Sequence, residues 1–219
     1  MRALVTGGTG RVGSAIAKRL QQEGWSVFAA GRPDGDLSTA EGARKLVATA
    51  DERLAGLDLL VYAAGEGFTP IAVERVEEPE WDAAFGATAK GTFFVVQSAA
   101  PLLLESRGTV VIIEDVAAYQ PWPSFAPHCT AKAAQAMLTR IFARALAPDV
   151  RVCGIAPGPV AVEPEQVERR SAETLVGRVG TPDDVAETVV FLTGADFVTG
   201  TTFVVDGGLL LQSGRVALP

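Results

Sequence analysis

Histidine is the scarcest candidate catalyst in this chain: 219 residues contain one, His128. Cysteine is nearly as rare. Two thiols, Cys129 and Cys153, are too few for a disulfide framework or a cysteine metal cluster. Reduced thiols in a cytoplasmic protein are the simplest expectation, and no metal site is expected. Runs of Lys or Arg are missing as well. With 19 basic against 26 acidic residues the net charge is −7, which argues against a nucleic-acid or anionic-membrane partner. No uninterrupted apolar run approaches the ~20 residues that a membrane helix needs. The opening MRALVTGG enters an apolar strand without a signal-peptide layout. No low-complexity linker divides the chain, and apolar residues make up 48% of it. The expectation is one α/β domain over residues 1–219.

What is present alternates. Ala3–Val5 is a short apolar run that stops at Thr6-Gly7-Gly8-Thr9-Gly10-Arg11-Val12-Gly13. Val12, Ile16 and Leu20 then recur every four residues, a helix with one apolar stripe ended by Gly24. Ser26–Ala30 is strand-like again. A glycine-rich turn inside a strand–helix–strand unit has a physical purpose. The helix N-terminus offers free N–H groups and a positive dipole end, and small residues let a pyrophosphate come close.

The second strand ends at Gly31-Arg32, where an NAD-selective site usually carries a carboxylate for the ribose 2′-hydroxyl. The Arg32 fork suits a 2′-phosphate instead, and Arg11 could add a second positive charge, so NADP(H) is favoured over NAD(H). The stretch Pro33–Ser38 is too short for the usual helix and strand, which predicts a shortened third-strand region. A helix over Thr39–Leu54 with Ser38 as N-cap follows. Leu57–Ala63 and Gly108–Ile113 read as strands covered on both faces. Glu78–Ala100 reads as one long helix whose aromatic surplus suits core or subunit interface. A helix from about His128 to Leu146, a strand over Val150–Ala156, a helix opening at Thr181-Pro182-Asp183-Asp184 and a last strand over Thr201–Val205 complete the pattern. Alternating buried strands and helices call for a Rossmann-type, doubly wound, mostly parallel sheet. Ligands bind such sheets beyond the carboxyl ends of the strands.

One strand end stands out. Glu114 and Asp115 follow the apolar run Val110–Ile113, and a proline-bearing loop leads to His128, with Lys132 four residues on and on the same helix face. An acid facing a His and a Lys can handle protons. Asp115 as a turn cap, His128 as a helix-start residue and a solvated Lys132 is the plainer alternative.

Thr6-Gly7…Gly13, Asp36-Leu37, Ala63-Ala64-Gly65, Lys132, Pro157-Gly158 and Thr199-Gly200…Val205-Asp206-Gly207-Gly208 occur in an order that resembles the short-chain dehydrogenase/reductase family over nearly the whole length. The resemblance implies that Gly7, Thr9, Gly10, Arg11, Val12 and Gly13 hold a pyrophosphate. It further implies that Asp36 and Leu37 face adenine, that Ala63, Ala64 and Gly65 lie along the cofactor, and that Pro157, Gly158 and Val160 contact nicotinamide. Lys132 would bind the nicotinamide ribose. The family's active site usually holds Asn, Ser, Tyr and Lys; here these positions fall on Thr88, Asp115, His128 and Lys132. The Asn of the usual Asn-Ala-Gly segment falls on Tyr62 or Ala63. Arg11 and Asp115 are similar to the pteridine reductase branch, as is the run Phe142–Pro148. The run Asp36–Gly42 resembles a hydroxysteroid-type subgroup instead.

The implied activity is an NADP(H)-dependent oxidoreductase that transfers a hydride to a carbonyl or imine of a small substrate, dihydropteridine-like or ketone/3-oxoacyl-like. Asp115, His128 and Lys132 would be the catalytic residues. Imidazole, with an ordinary pKa near about 6.5, can give the proton that the reduced atom needs, and an acid beside it favours its charged form. Tyr119, in the loop before His128, is a second candidate donor. The alternative is a catalytically impaired dinucleotide-binding protein with a regulatory or assembly role. Family members are usually dimers or tetramers, so a homo-oligomer is expected.

Overall fold

Strand β1 (Arg2–Thr6) sits in the interior of the sheet because its sequence is apolar on both faces. Alternate side chains of a strand point to opposite sides. Ala3 and Val5 enter one core and Leu4 the other. The computed structural model describes residues 1–67, 69–160 and 162–212; the last part of the expected 1–219 domain lies outside the described residues. Around β1 are β2 (Ser26–Ala30), β3 (Leu59–Tyr62), β4 (Thr109–Ile113), β5 (Arg151–Pro157) and β6 (Thr202–Val205). The order is β2-β1-β3-β4-β5-β6, and every neighbouring pair is parallel.

Helices cover both faces. On one, α1 (Arg11–Gln22) and α7 (Pro182–Gly194) bury Ile16, Leu20, Val185 and Val189 against Val5, Val61 and Ile155. On the other, α2 (Ala40–Leu54), α4 (Gly91–Ser106) and α5 (Ala126–Ala145) bury Leu46, Val95, Leu103 and Phe142 against Leu4, Leu60 and Ile112. Shorter helices α3 (Glu78–Phe85) and α6 (Val167–Ala172) complete the set. This is a single-domain, doubly wound Rossmann-type fold. After β2 the chain makes only a 3-10 turn, Arg32–Asp34, before α2, so the third-strand region is shortened as expected. The chain leaves β1 towards β2 and returns on its other side as β3, which opens a crevice at the carboxyl ends of β1 and β3.

Three expectations need correction. The N-cap of α2 is Thr39, whose hydroxyl accepts the Gly42 N–H at 3.0 Å; Ser38 donates to Asp36 instead. The expected helix Glu78–Ala100 is α3 and α4 joined by a π turn at Gly86–Lys90, and it runs on to Ser106. A side chain from the sheet explains the turn: the buried Tyr62 phenol donates to the Ala87 carbonyl at 2.5 Å. A Cβ at Gly91 would overlap that phenol oxygen. Helix α5 starts at Ala126, ahead of His128. The aromatic surplus is divided: Phe93 and Phe94 pack on the core, while Trp81 is exposed and stacks on Phe85 with ring centroids 5.0 Å apart.

Candidate functional site

The crevice at the switch point holds a cavity of about 420 Å³. Its walls are strand ends and the turns that follow them: Thr6, Gly7, Thr9 and Gly10 after β1, Arg32, Asp36 and Leu37 after β2, and Ala63, Ala64 and Gly65 after β3. The Thr6 hydroxyl spans the crevice floor, accepting the N–H groups of Ala63 at 3.1 Å and Ala64 at 3.2 Å. Glycine is required in the first turn. Gly7 has φ +63°, and a Cβ there would lie 2.6 Å from the Ala63 carbonyl oxygen. A Cβ at Gly13 would overlap the Gly7 carbonyl oxygen. The α1 N-terminus carries no side-chain cap and no acid in its first turn, so its dipole end is open to an anion. These features fit a dinucleotide: a small-residue cradle beneath a helix N-terminus, with an arginine at the far wall.

Electrostatics at that wall are specific. Arg32 pairs with Glu66 at 2.8 Å and is largely solvent-exposed. Arg11 points elsewhere and pairs with Glu163 at 2.7 Å. The Asp36 carboxylate is held below its ordinary pKa range, first by the Ser38 hydroxyl and then by the Ser38 N–H. Gly13 packs beneath the turn, and Arg11 and Val12 stand outside the cavity wall. Pro157 ends β5, and Gly158 abuts Asp206, whose Cα a Cβ at Gly158 would approach to 2.7 Å. Val160 bridges to Gly180 and borders a separate cavity of about 130 Å³.

Asp115 and His128 meet beyond β4. Asp115 Oδ1 accepts the Ala117 N–H at 2.7 Å, which caps a 3-10 turn, and Oδ2 faces His128 Nε2 at 3.4 Å. Thus Asp115 both caps a turn and faces the imidazole. His128 lines a second cavity of about 310 Å³ with Thr88, Phe125, Ser124 and Glu66. Glu66 borders both this cavity and the one at the switch point.

Lys132 is not solvated. It is buried, and its Nζ donates to the Ile113 carbonyl at 3.1 Å, the Glu114 carbonyl at 3.3 Å and Gln135 Oε1 at 2.9 Å. Burial pushes its pKa down, and the charges of Asp115 and Glu114 oppose that only in part. Gln135 passes the chain on, donating to Thr92 Oγ1 at 2.8 Å, and Thr92 donates to the Thr88 carbonyl at 2.6 Å. The Tyr119 phenol donates to Glu114 Oε2 at 3.0 Å. Of the two alternatives for the Asn of the Asn-Ala-Gly segment, Ala63 lines the first cavity, whereas Tyr62 is a core residue.

Sequence reasoning missed Glu66 and Gln135, and gave Glu114 no role. Gln135 carried a signal, since it lies three residues beyond Lys132 on the same helix face. Glu66 adjoins Gly65 and could have been flagged by its place after a strand end. Glu114, named only as the acid beside Asp115, is buried among hydroxyl donors.

A doubly wound sheet with a glycine-rich turn at its switch point is the Rossmann-type architecture, in which ligands bind beyond the carboxyl ends of the strands. Residues 33–210 match the family model described as enoyl-(acyl carrier protein) reductase. The chain is 32% identical to human dehydrogenase/reductase SDR family member 4, over 94% of this chain and 86% of that protein. It is 34% identical to the inactive 2-(S)-hydroxypropyl-CoM dehydrogenase 2 of Xanthobacter autotrophicus, over 91% of this chain and 92% of that protein. Among solved structures, a SCOR enzyme from Clostridium thermocellum superposes with a TM-score of 0.88 at 27% identity, covering 99% of this chain and 96% of that one. The protein belongs to the short-chain dehydrogenase/reductase superfamily of oxidoreductases. Among the described residues no group of acids, His and Cys could hold a metal ion, and no helix is long and apolar enough to cross a membrane.

Proposed function

We propose that the protein is an NADP(H)-dependent reductase of a small carbonyl or imine compound, with His128 as proton donor. The observation that carries this reading is the Asp115–His128 pair, 3.4 Å apart, whose His128 lies on the wall of a cavity that shares Glu66 with the cradle. Gly7, Thr9, Gly10 and Gly13 would hold the pyrophosphate, Asp36 and Leu37 the adenine, and Arg32 the 2′-phosphate. Ala63 to Gly65 would lie along the cofactor, with Pro157, Gly158 and Val160 near its nicotinamide end. A bound reduced nicotinamide supplies hydride. His128 supplies the proton to the oxygen or nitrogen that gains charge, and Asp115 orients the imidazole. Lys132 presents a buried cation behind the pair. A dihydropteridine-like or ketone substrate fits the roughly 310 Å³ cavity. The protein works in the cytoplasm as a homodimer or homotetramer, with the exposed Trp81 among the candidate contact residues.

A second reading is favoured by Lys132. Its buried Nζ donates to the Ile113 and Glu114 carbonyls and to Gln135 Oε1, which hold it between β4 and α5. A dinucleotide-binding protein with impaired turnover suits such a lysine, and a relative that bears the word inactive in its name is as similar as active-named ones. Titration of NADPH and NADH by fluorescence, followed by NADPH oxidation with dihydropteridines, quinones and 3-oxoacyl thioesters, separates the readings. Oxidation that is lost in His128→Ala with binding intact supports the reductase. Binding without oxidation, and activity gained in His128→Tyr, supports the second.

A further inference from the structure

Arg32 and Glu66 stand on opposite segments of the cradle. Arg32 opens the turn after β2, and Glu66 follows the segment Ala63–Gly65 after β3. Their side chains meet at 2.8 Å, Arg32 Nη2 to Glu66 Oε2, and both residues line the roughly 420 Å³ cavity. An arginine fork that is engaged by a carboxylate has fewer donors left for a phosphate, because both ligands use the same planar N–H groups. The pair is mostly exposed, with 85% of the Arg32 and 39% of the Glu66 side chain accessible. Exposed pairs are weak, so the contact can open when a better anion arrives.

We infer that Glu66 is a specificity-determining residue of the cofactor site, which competes with a nucleotide 2′-phosphate for Arg32. The inference rests on the reading that Arg32 receives that phosphate. Glu66 thereby holds down the preference for the phosphorylated dinucleotide while leaving affinity for the unphosphorylated one unchanged. Glu66 also lines the cavity beside His128, so its release from Arg32 would add a free carboxylate to the wall facing the substrate.

The test is a double-mutant cycle on cofactor affinity that needs no substrate. NADPH and NADH are titrated by fluorescence against the full chain, Glu66→Gln, Arg32→Ala and the double variant, with circular dichroism to show an unchanged fold. Loss of a weak competing pair is expected to tighten NADPH by about two- to five-fold in Glu66→Gln, with NADH unchanged. In the Arg32→Ala background the same change is expected to do nothing, since the two residues then no longer couple. Equal tightening in both backgrounds would overturn the inference, because simple repulsion between a carboxylate and a phosphate would account for it. No tightening in Glu66→Gln, with NADPH weakened in Arg32→Ala, overturns the inference alone. NADPH binding that is indifferent to Arg32→Ala overturns both the inference and the cofactor reading beneath it.

Discussion

Asp115 uses its two carboxylate oxygens for two different partners: Oδ1 takes the Ala117 N–H at 2.7 Å, and Oδ2 faces His128 Nε2 at 3.4 Å. The capping bond fixes the carboxylate, and the fixed carboxylate fixes the imidazole. Proton delivery by a placed side chain contributes about 10²–10⁴-fold to rate. His128→Ala should therefore lower NADPH oxidation by about that factor while NADPH titration stays unchanged. Asp115→Asn should cost less, because Asn can still cap Ala117 and still place a polar atom against the imidazole. Steady-state rates with matched fluorescence titrations check both.

Lys132 gives a pH dependence whose sign follows from its burial. Desolvation holds its folded-state pKa below the unfolded value of about 10.4. At pH below the folded value both states carry the proton, and the cost of the buried charge is felt in full. Between the two values the unfolded chain binds more protons, so stability rises with pH there. Urea unfolding from pH 7 to pH 10 should show the native chain gaining stability relative to Lys132→Met. A difference that stays flat across that range would show that the ammonium is compensated in the fold.

Much of this arrangement was legible in the chain. Buried parallel strands announce themselves as apolar runs, and the glycine turn and the Thr181-Pro182-Asp183-Asp184 start depend on local backbone chemistry alone. Asp115, His128 and Lys132 could be placed at one edge because each follows a strand end or lies on the helix facing it. What escaped depends on partners distant in sequence. The π turn at Gly86–Lys90 exists because Tyr62, from another element, donates to Ala87. The choice of Thr39 over Ser38 as cap turns on Asp36 taking the Ser38 hydroxyl at 2.7 Å. The Arg32–Glu66 pair joins two strand ends that only the sheet order brings together.

Glu114 belongs to the same class of hidden feature. Its buried carboxylate accepts the hydroxyls of Thr139 at 2.6 Å, Thr202 at 3.2 Å and Tyr119 at 3.0 Å, which join α5, β6 and the loop after β4. Hydrogen bonds to a charged group are worth about 1.5–3 kcal/mol, and stranded buried donors add a further cost. Glu114→Ala should lose about 3 kcal/mol in urea unfolding, whereas Glu114→Gln, which keeps an acceptor, should lose about 1 kcal/mol. Gly154→Ala should behave like Glu114→Ala, because a Cβ there would overlap Glu114 Oε1.

Two glycine-to-alanine changes should act in opposite directions. Gly194 is the last residue of α7, it is exposed, and a Cβ there would meet nothing within 4 Å. Alanine at such a helical position restricts the unfolded chain and is expected to stabilise the fold by about 0.4–1 kcal/mol. Gly13 lies in the first turn of α1, where the added carbon would overlap the Gly7 carbonyl oxygen. Neither group can give way cheaply, since Gly7 is itself held at φ +63° against Ala63. Gly13→Ala should therefore displace the turn from the cradle and weaken NADPH by at least ten-fold, about 1.4 kcal/mol. Dinucleotide titration and thermal unfolding of the two variants side by side check the contrast. Unchanged NADPH affinity in Gly13→Ala would mean that the turn does not form the pyrophosphate seat.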